Sequence, residues 1–349
     1  MQRIQLSPGY EISRVIRGGW QLSGSHGAVA SADPAGDMIA FADAGITTFD
    51  CADIYTGVEE LIGQFRKRYR DLRGQAALER IKVHTKFVPD RDILPRITKT
   101  YTEDIIDTSL RRLGMERLDL VQFHWWNYDV PRWLEATRWL GDLQRAGKID
   151  RIGGTNFDTS HMTAMIESGV TLTSMQVQYS LLDRRPATSM VDAALRKGVV
   201  LFCYGTVAGG FLGEKWLGAS EPAGPLENRS LTKYKLVIDE FGGWDLFQRL
   251  LETLRAIAAR HRTDIATVAS AAVLEWPGVA AVIVGARNRA HLPANLAISD
   301  LALTAEDRGQ IQGVLAAARE LEGDVFTLER DGEGRHGRIM KYNLNKGAA

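Results

Sequence analysis

Short runs of β-branched and apolar residues alternate along this chain with longer stretches in which apolar positions recur every three or four residues. The short runs are Val15–Gln21, Ile46–Asp50, Ile81–Phe87, Leu118–His124, Ile149–Thr155, Thr173–Gln178, Val199–Tyr204 and Val279–Gly285. Between them lie helical patterns near Asp37–Ala44, Val58–Tyr69, Lys99–Leu113, Pro131–Gly147, Thr159–Ser168, Thr188–Lys197 and Leu246–Ala259. The first kind of run suits a strand and the second an amphipathic helix. Strands separated by helices of this length imply right-handed βαβ units and a parallel sheet.

Glycine punctuates the pattern. Gly45, Gly114, Gly147, Gly169 and Gly198 each follow a helical run and precede a strand. A left-handed residue is needed there to end the helix and turn the chain. Eight such units closing on themselves make an α/β (β/α)8 barrel, the TIM fold; an open doubly wound sheet is the competing topology. Two segments break the rhythm. Residues Leu212–Gly243 form a long polar insertion carrying glycine and proline, expected to be a loop and a lid. A further helical pattern, Thr304–Leu321, leads into a basic, glycine-rich tail, Arg330–Ala349. No stretch has linker composition. The expectation is therefore one domain over 1–349, with its core at about 15–298 and a C-terminal extension over 299–349.

Composition narrows the function classes. Lys plus Arg equals Asp plus Glu, 43 each, so no global field draws the chain to nucleic acid or an anionic membrane. No apolar run nears the roughly 18 residues that span a bilayer. The opening residues lack the basic-then-apolar order of a signal peptide. Cys51 and Cys203 are the two cysteines, too few for a disulfide framework. A cytoplasmic protein with a small-molecule partner is the expectation, and oligomeric state is left open.

A barrel of this kind carries its chemistry at the C-terminal ends of its strands. The second strand ends with Asp50, Asp53 and Tyr55 beyond it, the third places His84 and Lys86 on one face, and the fourth ends at His124. Taken alone each has a plain reading: a turn-capping Asp, a half-buried Tyr, a solvated Lys, a satisfied core His. Together they suit proton transfer. A phenol with pKa near 10 is a poor acid, a neighbouring ammonium favours its ionised form, and a carboxylate keeps that ammonium charged and placed.

At these residues the sequence resembles the aldo-keto reductase family. The run Gly45–Tyr55 (GITTFDCADIY), the glutamates of Val58–Gly63, the pair Leu110–Gly114 and Leu118–His124, the segment Ile152–Phe157 (IGGTNF) and Gln176–Tyr179 are similar to its spaced motifs. The resemblance runs from about Val15 to Ile298. It implies carbonyl reduction with a nicotinamide cofactor, NADP with NAD as the other choice, acting on an aldehyde, ketone or sugar. It implies Tyr55 as general acid, Lys86 and Asp50 tuning it, and His124 orienting and polarising the carbonyl. Thr155, Asn156 and Gln176 would bind the nicotinamide carboxamide, and Tyr204 would stack on its ring. Gly205, Thr206, Gly209, Gly210 and Leu212 would let the backbone approach the pyrophosphate. Gly285, Arg287, His291 and Asn295 would take the adenosine end, Arg287 reading a 2′-phosphate with Arg289 or His291 nearby. His291 and Ala294 depart from the residues usual at their places, which leaves NADP against NAD open. Trp20, Trp125 and Trp126 are expected to wall an aromatic substrate pocket, built from the loops Ser23–Asp33 and Trp125–Tyr128, the insertion and the tail.

Rival readings differ in kind. A metal-dependent barrel hydrolase would favour a His-x-His pair, which the histidines at 26, 84, 124, 161, 261, 291 and 336 do not form. No metal site is expected. A non-catalytic relative that only binds nucleotide would keep the fold. A doubly wound dehydrogenase needs a Gly-x-Gly-x-x-Gly turn after an early strand, and none stands at a strand end.

Overall fold

A computed structural model describes residues 1–23 and 31–345. Residues 24–30 of the loop Ser23–Asp33 offered above as a pocket wall, His26 among them, and the tail end 346–349 lie outside the described residues.

The chain opens with an antiparallel hairpin, β1 (Arg3–Ser7) and β2 (Tyr10–Ser13). Eight strands then close a parallel barrel: β3 (Val15–Gly18), β4 (Thr48–Asp50), β5 (Lys82–Phe87), β6 (Leu118–Phe123), β7 (Ile149–Thr155), β8 (Leu172–Gln178), β9 (Val200–Tyr204) and β10 (Val279–Gly285). They stand in sequence order, and β10 pairs with β3 to seal the wall. Around them run α1 (Pro34–Asp43), α2 (Val58–Arg73), the short α3 (Gln75–Leu78), α4 (Lys99–Leu113), α5 (Trp133–Arg145), α6 (Thr159–Glu167) and α7 (Met190–Lys197). The second half adds α8 (Arg229–Phe241), α9 (Trp244–His261), α10 (Ile265–Leu274), α11 (Leu292–Asp300), α12 (Ala305–Leu315) and α13 (Thr327–Arg330). The barrel, not the open sheet, is the topology. The glycines at 45, 114, 147, 169 and 198 all take positive φ, between 61° and 99°, as the helix–Gly–strand pattern requires.

The first barrel strand is shorter than its sequence suggests. It stops at Gly18 because Gly19 donates to Asp50 O at 2.7 Å and the chain turns into a 3-10 segment, Trp20–Leu22. A Cβ on Gly19 would stand 2.8 Å from that same oxygen, so only glycine lets the first strand end beside Asp50.

Three further features lie outside the sequence reading. The hairpin stoppers the N-terminal end of the barrel, where Tyr10 and Ile12 pack with Ile16, Leu120 and Phe202. The insertion holds a full helix, α8. Its buried Leu231, Tyr234, Val237, Ile238 and Phe241 recur at helical spacing, and Asn228 caps it by accepting from Leu231 N. Helix α10 is buried almost all round, so it offers no amphipathic stripe to detect. The α8–α10 group forms a second apolar cluster against the barrel, with α12 beside it. No helix among the described residues is long and apolar enough to cross a membrane.

Candidate active site

Alternation along the strands decides which side chains enter the barrel. Asp50 ends β4, and Lys86 lies near the end of the adjacent β5, two residues beyond the position paired with Asp50. Lys86 Nζ donates to Asp50 Oδ2 at 2.6 Å and to Cys51 O at 2.8 Å. The other oxygen of Asp50 accepts from Gln122 Nε2 at 3.0 Å and Gln176 Nε2 at 2.7 Å. A buried charge pair is tolerable only with its remaining valences satisfied, and here one carboxylate meets three donors. Gln122 was missed in the sequence; it sits on the inward face of β6 two residues before His124, which is the signal that could have marked it.

Lys86 Nζ lies 5.1 Å from the Tyr55 ring centre, and the Trp20 ring lies 4.9 Å away on another side. Burial acts most strongly and lowers the Lys86 pKa, but Asp50, Tyr55 and Cys51 together outweigh it and the ammonium ends above its usual range. For Tyr55 burial raises the pKa most, Lys86 pulls it down and Asp50 pushes it up, with a net rise. The lysine thus acts in the expected direction but does not prevail. At neutral pH the phenol holds its proton and can give it.

His124 is also stripped of water. Burial first, then the Arg330 guanidinium, pushes its pKa down to about 3 against the hydrogen bond to Thr155. Its Nδ1 lies 3.1 Å from Thr155 O, and a carbonyl can only accept, so the proton of the neutral ring sits on Nδ1. Nε2 is left as a buried lone pair with no partner. In this tautomer the ring accepts from a hydroxyl rather than donating to a carbonyl. The edge of Trp126 (centroids 4.3 Å, 87°) and that of Phe326 (5.5 Å, 86°) flank it.

The tryptophans divide. Trp20 stands beside Tyr55, and Trp126 beside His124 with its Nε1 donating to Pro89 O at 2.9 Å. Trp125 is a correction. One residue out of phase with His124 and Trp126, it points away from the barrel, is fully buried against Phe123 and donates Nε1 to Asn127 O and Val130 O.

Thr155, Asn156, Gln176 and Tyr204 come together across β7–β9. Tyr204 donates to Asn156 Oδ1 at 2.8 Å, which leaves the amide nitrogen of Asn156 as the donor it can offer. Gln176 has its nitrogen on Asp50, which leaves Oε1 as an acceptor. One amide donor and one amide acceptor at a single mouth are the complement of a carboxamide.

Beyond β9, Gly205 and Gly209 take positive φ and lie under the Tyr234 ring of α8, where a Cβ on either would clash. Gly210 also has positive φ, with open space where a side chain would stand. Thr206 and Leu212 are turned inward: the Thr206 hydroxyl pairs with Ser270 at 3.0 Å, and Leu212 is buried in the second apolar cluster with its N–H on Val207 O. Gly285 faces the Gln21 side chain at the end of β10. Arg287, Arg289 and His291 are exposed at the entrance to α11. Asn295 is buried with Nδ2 unpartnered, as is Gln21 Oε1. The unpartnered buried polar atoms of Gln21 and Asn295 and the open space at Gly210 are features that suit an extended nucleotide. Among the described residues no group of three or more His, Cys, Asp or Glu could hold a metal ion.

The tail, expected above among the pocket walls without particular residues, reaches the mouth. Phe326 meets His124, and Tyr342 stands edge-on to Trp126 at 5.2 Å. Asn345 donates to Val88 O at 2.9 Å, and its N–H donates to Asp90.

Comparison with known proteins gives one family. The model of the Aldo/keto reductase family matches residues 14–316. An uncharacterized oxidoreductase of Mycobacterium tuberculosis is 29% identical over 91% of this chain and 94% of its own length. An aldo-keto reductase of Bacillus subtilis is 26% identical over 88% and 91%. The NADH-specific methylglyoxal reductase of Escherichia coli is 25% identical over 63% of this chain and 66% of its own. The chain also matches the flagellar radial spoke protein 5 of Chlamydomonas reinhardtii at 26% identity, spanning 48% of that protein. Among solved structures, the glycerol dehydrogenase of Gluconobacter oxydans superposes with a TM-score of 0.73 at 22% identity, over 90% of this chain and 95% of that one.

Proposed function

The chain belongs to the aldo/keto reductase family, and on that premise we propose that it reduces an aldehyde, ketone or sugar carbonyl to the alcohol with a nicotinamide dinucleotide. The observation that carries the reading is the mouth itself. A charge pair fixed by three donors stands under a protonated phenol, with a bare histidine nitrogen at the same strand ends. A bound reduced nicotinamide supplies hydride to the carbonyl carbon. Asn156 and Gln176 would hold its carboxamide through their free donor and acceptor, Thr155 would stand beside them, and Tyr204 would face its ring.

The remaining chemistry falls to the chain. Tyr55 hydrogen-bonds the carbonyl oxygen and gives it a proton as negative charge develops there. Lys86 offsets the charge left on the phenolate, and Asp50 keeps Lys86 charged and in place. His124, with its proton on Nδ1, would accept through Nε2 from a hydroxyl: one on a sugar substrate, or that of the alcohol in the reverse direction. Trp20, Trp126 and Phe326 keep water from the reacting atoms. In the reverse direction the Tyr55 phenolate takes the alcohol proton.

The cofactor is NADP, with Arg287 at the entrance to α11 reading the 2′-phosphate through its planar fork and Arg289 or His291 adding charge. NAD is the other reading, and one relative bears an NADH-specific name. The test is a panel of aldehydes, ketones and sugars with NADPH and NADH, followed by loss of nicotinamide absorbance. Turnover of some carbonyl is expected; no turnover across the panel with either nucleotide contradicts the assignment.

A further inference from the structure

The short helix α13, far outside the barrel in sequence, sits on the strand mouths. Arg330 donates through Nη1 to Asn156 O at 2.9 Å and through Nη2 to Trp125 O at 2.8 Å. Each carbonyl belongs to a residue next to, or part of, the nicotinamide and substrate machinery. Trp125 follows His124, and Asn156 follows Thr155, whose own carbonyl holds His124 Nδ1. One guanidinium therefore bridges the ends of β6 and β7 just where they present His124 and Asn156.

The backbone at Asn156 needs such a brace. It takes φ 61°, a left-handed conformation that a non-glycine residue holds only when its surroundings fix it. The fork of arginine suits the task, because two fixed N–H groups can reach two carbonyls at once. Arg330 is fixed in turn. Its guanidinium lies 4.1 Å from the Tyr128 ring centre and 5.3 Å from that of Phe326. The preceding Glu329 is fully buried in a charge cluster, accepting from Arg185 at 3.1 and 3.2 Å and meeting Lys233 of α8 at 3.2 Å. Arg185 is also held by Asp183 at 2.7 Å. This cluster joins the β8–α7 connection, the insertion helix and the tail.

We propose that Arg330 is a positioning residue for dinucleotide binding, holding the backbone of Asn156 and Trp125 so that Asn156 and His124 face the nicotinamide end of the site. The proposal rests on the nicotinamide reading above. It differs from a merely structural role in one respect: its effect is confined to the nicotinamide end and spares the adenosine end.

The test uses the full chain and tryptophan-fluorescence titration with two probes, NADPH and 2′-phospho-ADP-ribose, which lacks the nicotinamide. Arg330→Met is expected to weaken NADPH about tenfold, within the range of couplings between linked groups, and to leave the fragment unchanged. Asn156→Ala should give the same pattern, and the double variant should be no worse than the weaker single one, since the two act as a unit. Arg330→Lys, with one donor site in place of the fork, should fall between wild type and Arg330→Met. If Arg330→Met fails to fold by its melting transition, Arg330→Lys is read by the same criterion. Unchanged NADPH affinity, or equal losses for both probes, overturns the positioning role while leaving the reductase reading intact. Wild type that binds neither NADPH nor NADH overturns both.

Discussion

His84 and His124 stand inside the barrel on neighbouring strands, both fully buried and both pushed down to about 3 by desolvation. Their surroundings separate them. At the N-terminal end, His84 Nε2 lies 3.2 Å from the Tyr10 hydroxyl and the ring stacks on Phe202 at 5.2 Å, under the closing hairpin. At the C-terminal end, His124 Nε2 has no partner and stands at the mouth that also carries Tyr55, Lys86 and Asp50. His84 also has an unpartnered nitrogen, Nδ1, so a bare atom alone does not make a site. What differs is access and company. The lower histidine is closed in by aromatic and aliphatic side chains, and the upper one shares its mouth with the Tyr55 phenol and a fixed charge pair.

The strongest way to break the comparison is to remove the charge that organises the upper end. Lys86→Met leaves the Asp50 carboxylate buried without its cation, so unfolding should become easier by about 3–5 kcal/mol. The exposed pair Lys99–Asp142 is a control: Lys99→Met should leave the melting temperature unchanged, because solvent screens it. Equal effects of the two would mean that the Lys86–Asp50 pair is not an organising element.

The next effect concerns acid. A histidine held neutral in the fold but ordinary when unfolded binds its proton first in the unfolded state. Its contribution is therefore intact above about pH 6.5 and drains as pH falls toward the folded value, at roughly 1.4 kcal/mol per pH unit for each such histidine. His84→Phe should remove one such share from the slope of stability between about pH 6 and 4 while turnover at neutral pH persists. A slope that stays as steep would contradict the burial account of His84. Smallest is Arg287→Ala, which should weaken NADPH roughly tenfold and leave NADH nearly unchanged in paired titrations. Loss of affinity for both would place Arg287 in general nucleotide binding.

Much of this contrast was legible in the sequence. Short apolar runs carrying Asp50, Lys86 and His124 at or near their ends marked the barrel and its candidate mouth, because such runs and the glycine stops are local properties. Trp125 shows the limit of reading residue types without phase: one step along the strand turns a pocket wall into core. Tyr10 and its hairpin went unread although Pro8 and Gly9 mark a turn between two alternating runs. The tail was out of reach for another reason. The contacts of Phe326, Glu329 and Arg330 join segments well over a hundred residues apart, and no local pattern encodes such a pairing.

The central claim is that the proton for carbonyl reduction comes from Tyr55. Tyr55→Phe keeps the ring against Trp20 and removes only the hydroxyl. The most direct measurement is kcat for the best carbonyl substrate in this variant, beside its dissociation constant for the nucleotide. Turnover should fall by roughly 10²–10⁴-fold, the range for loss of a general acid, with nucleotide affinity nearly unchanged. Wild-type turnover in Tyr55→Phe would contradict the account.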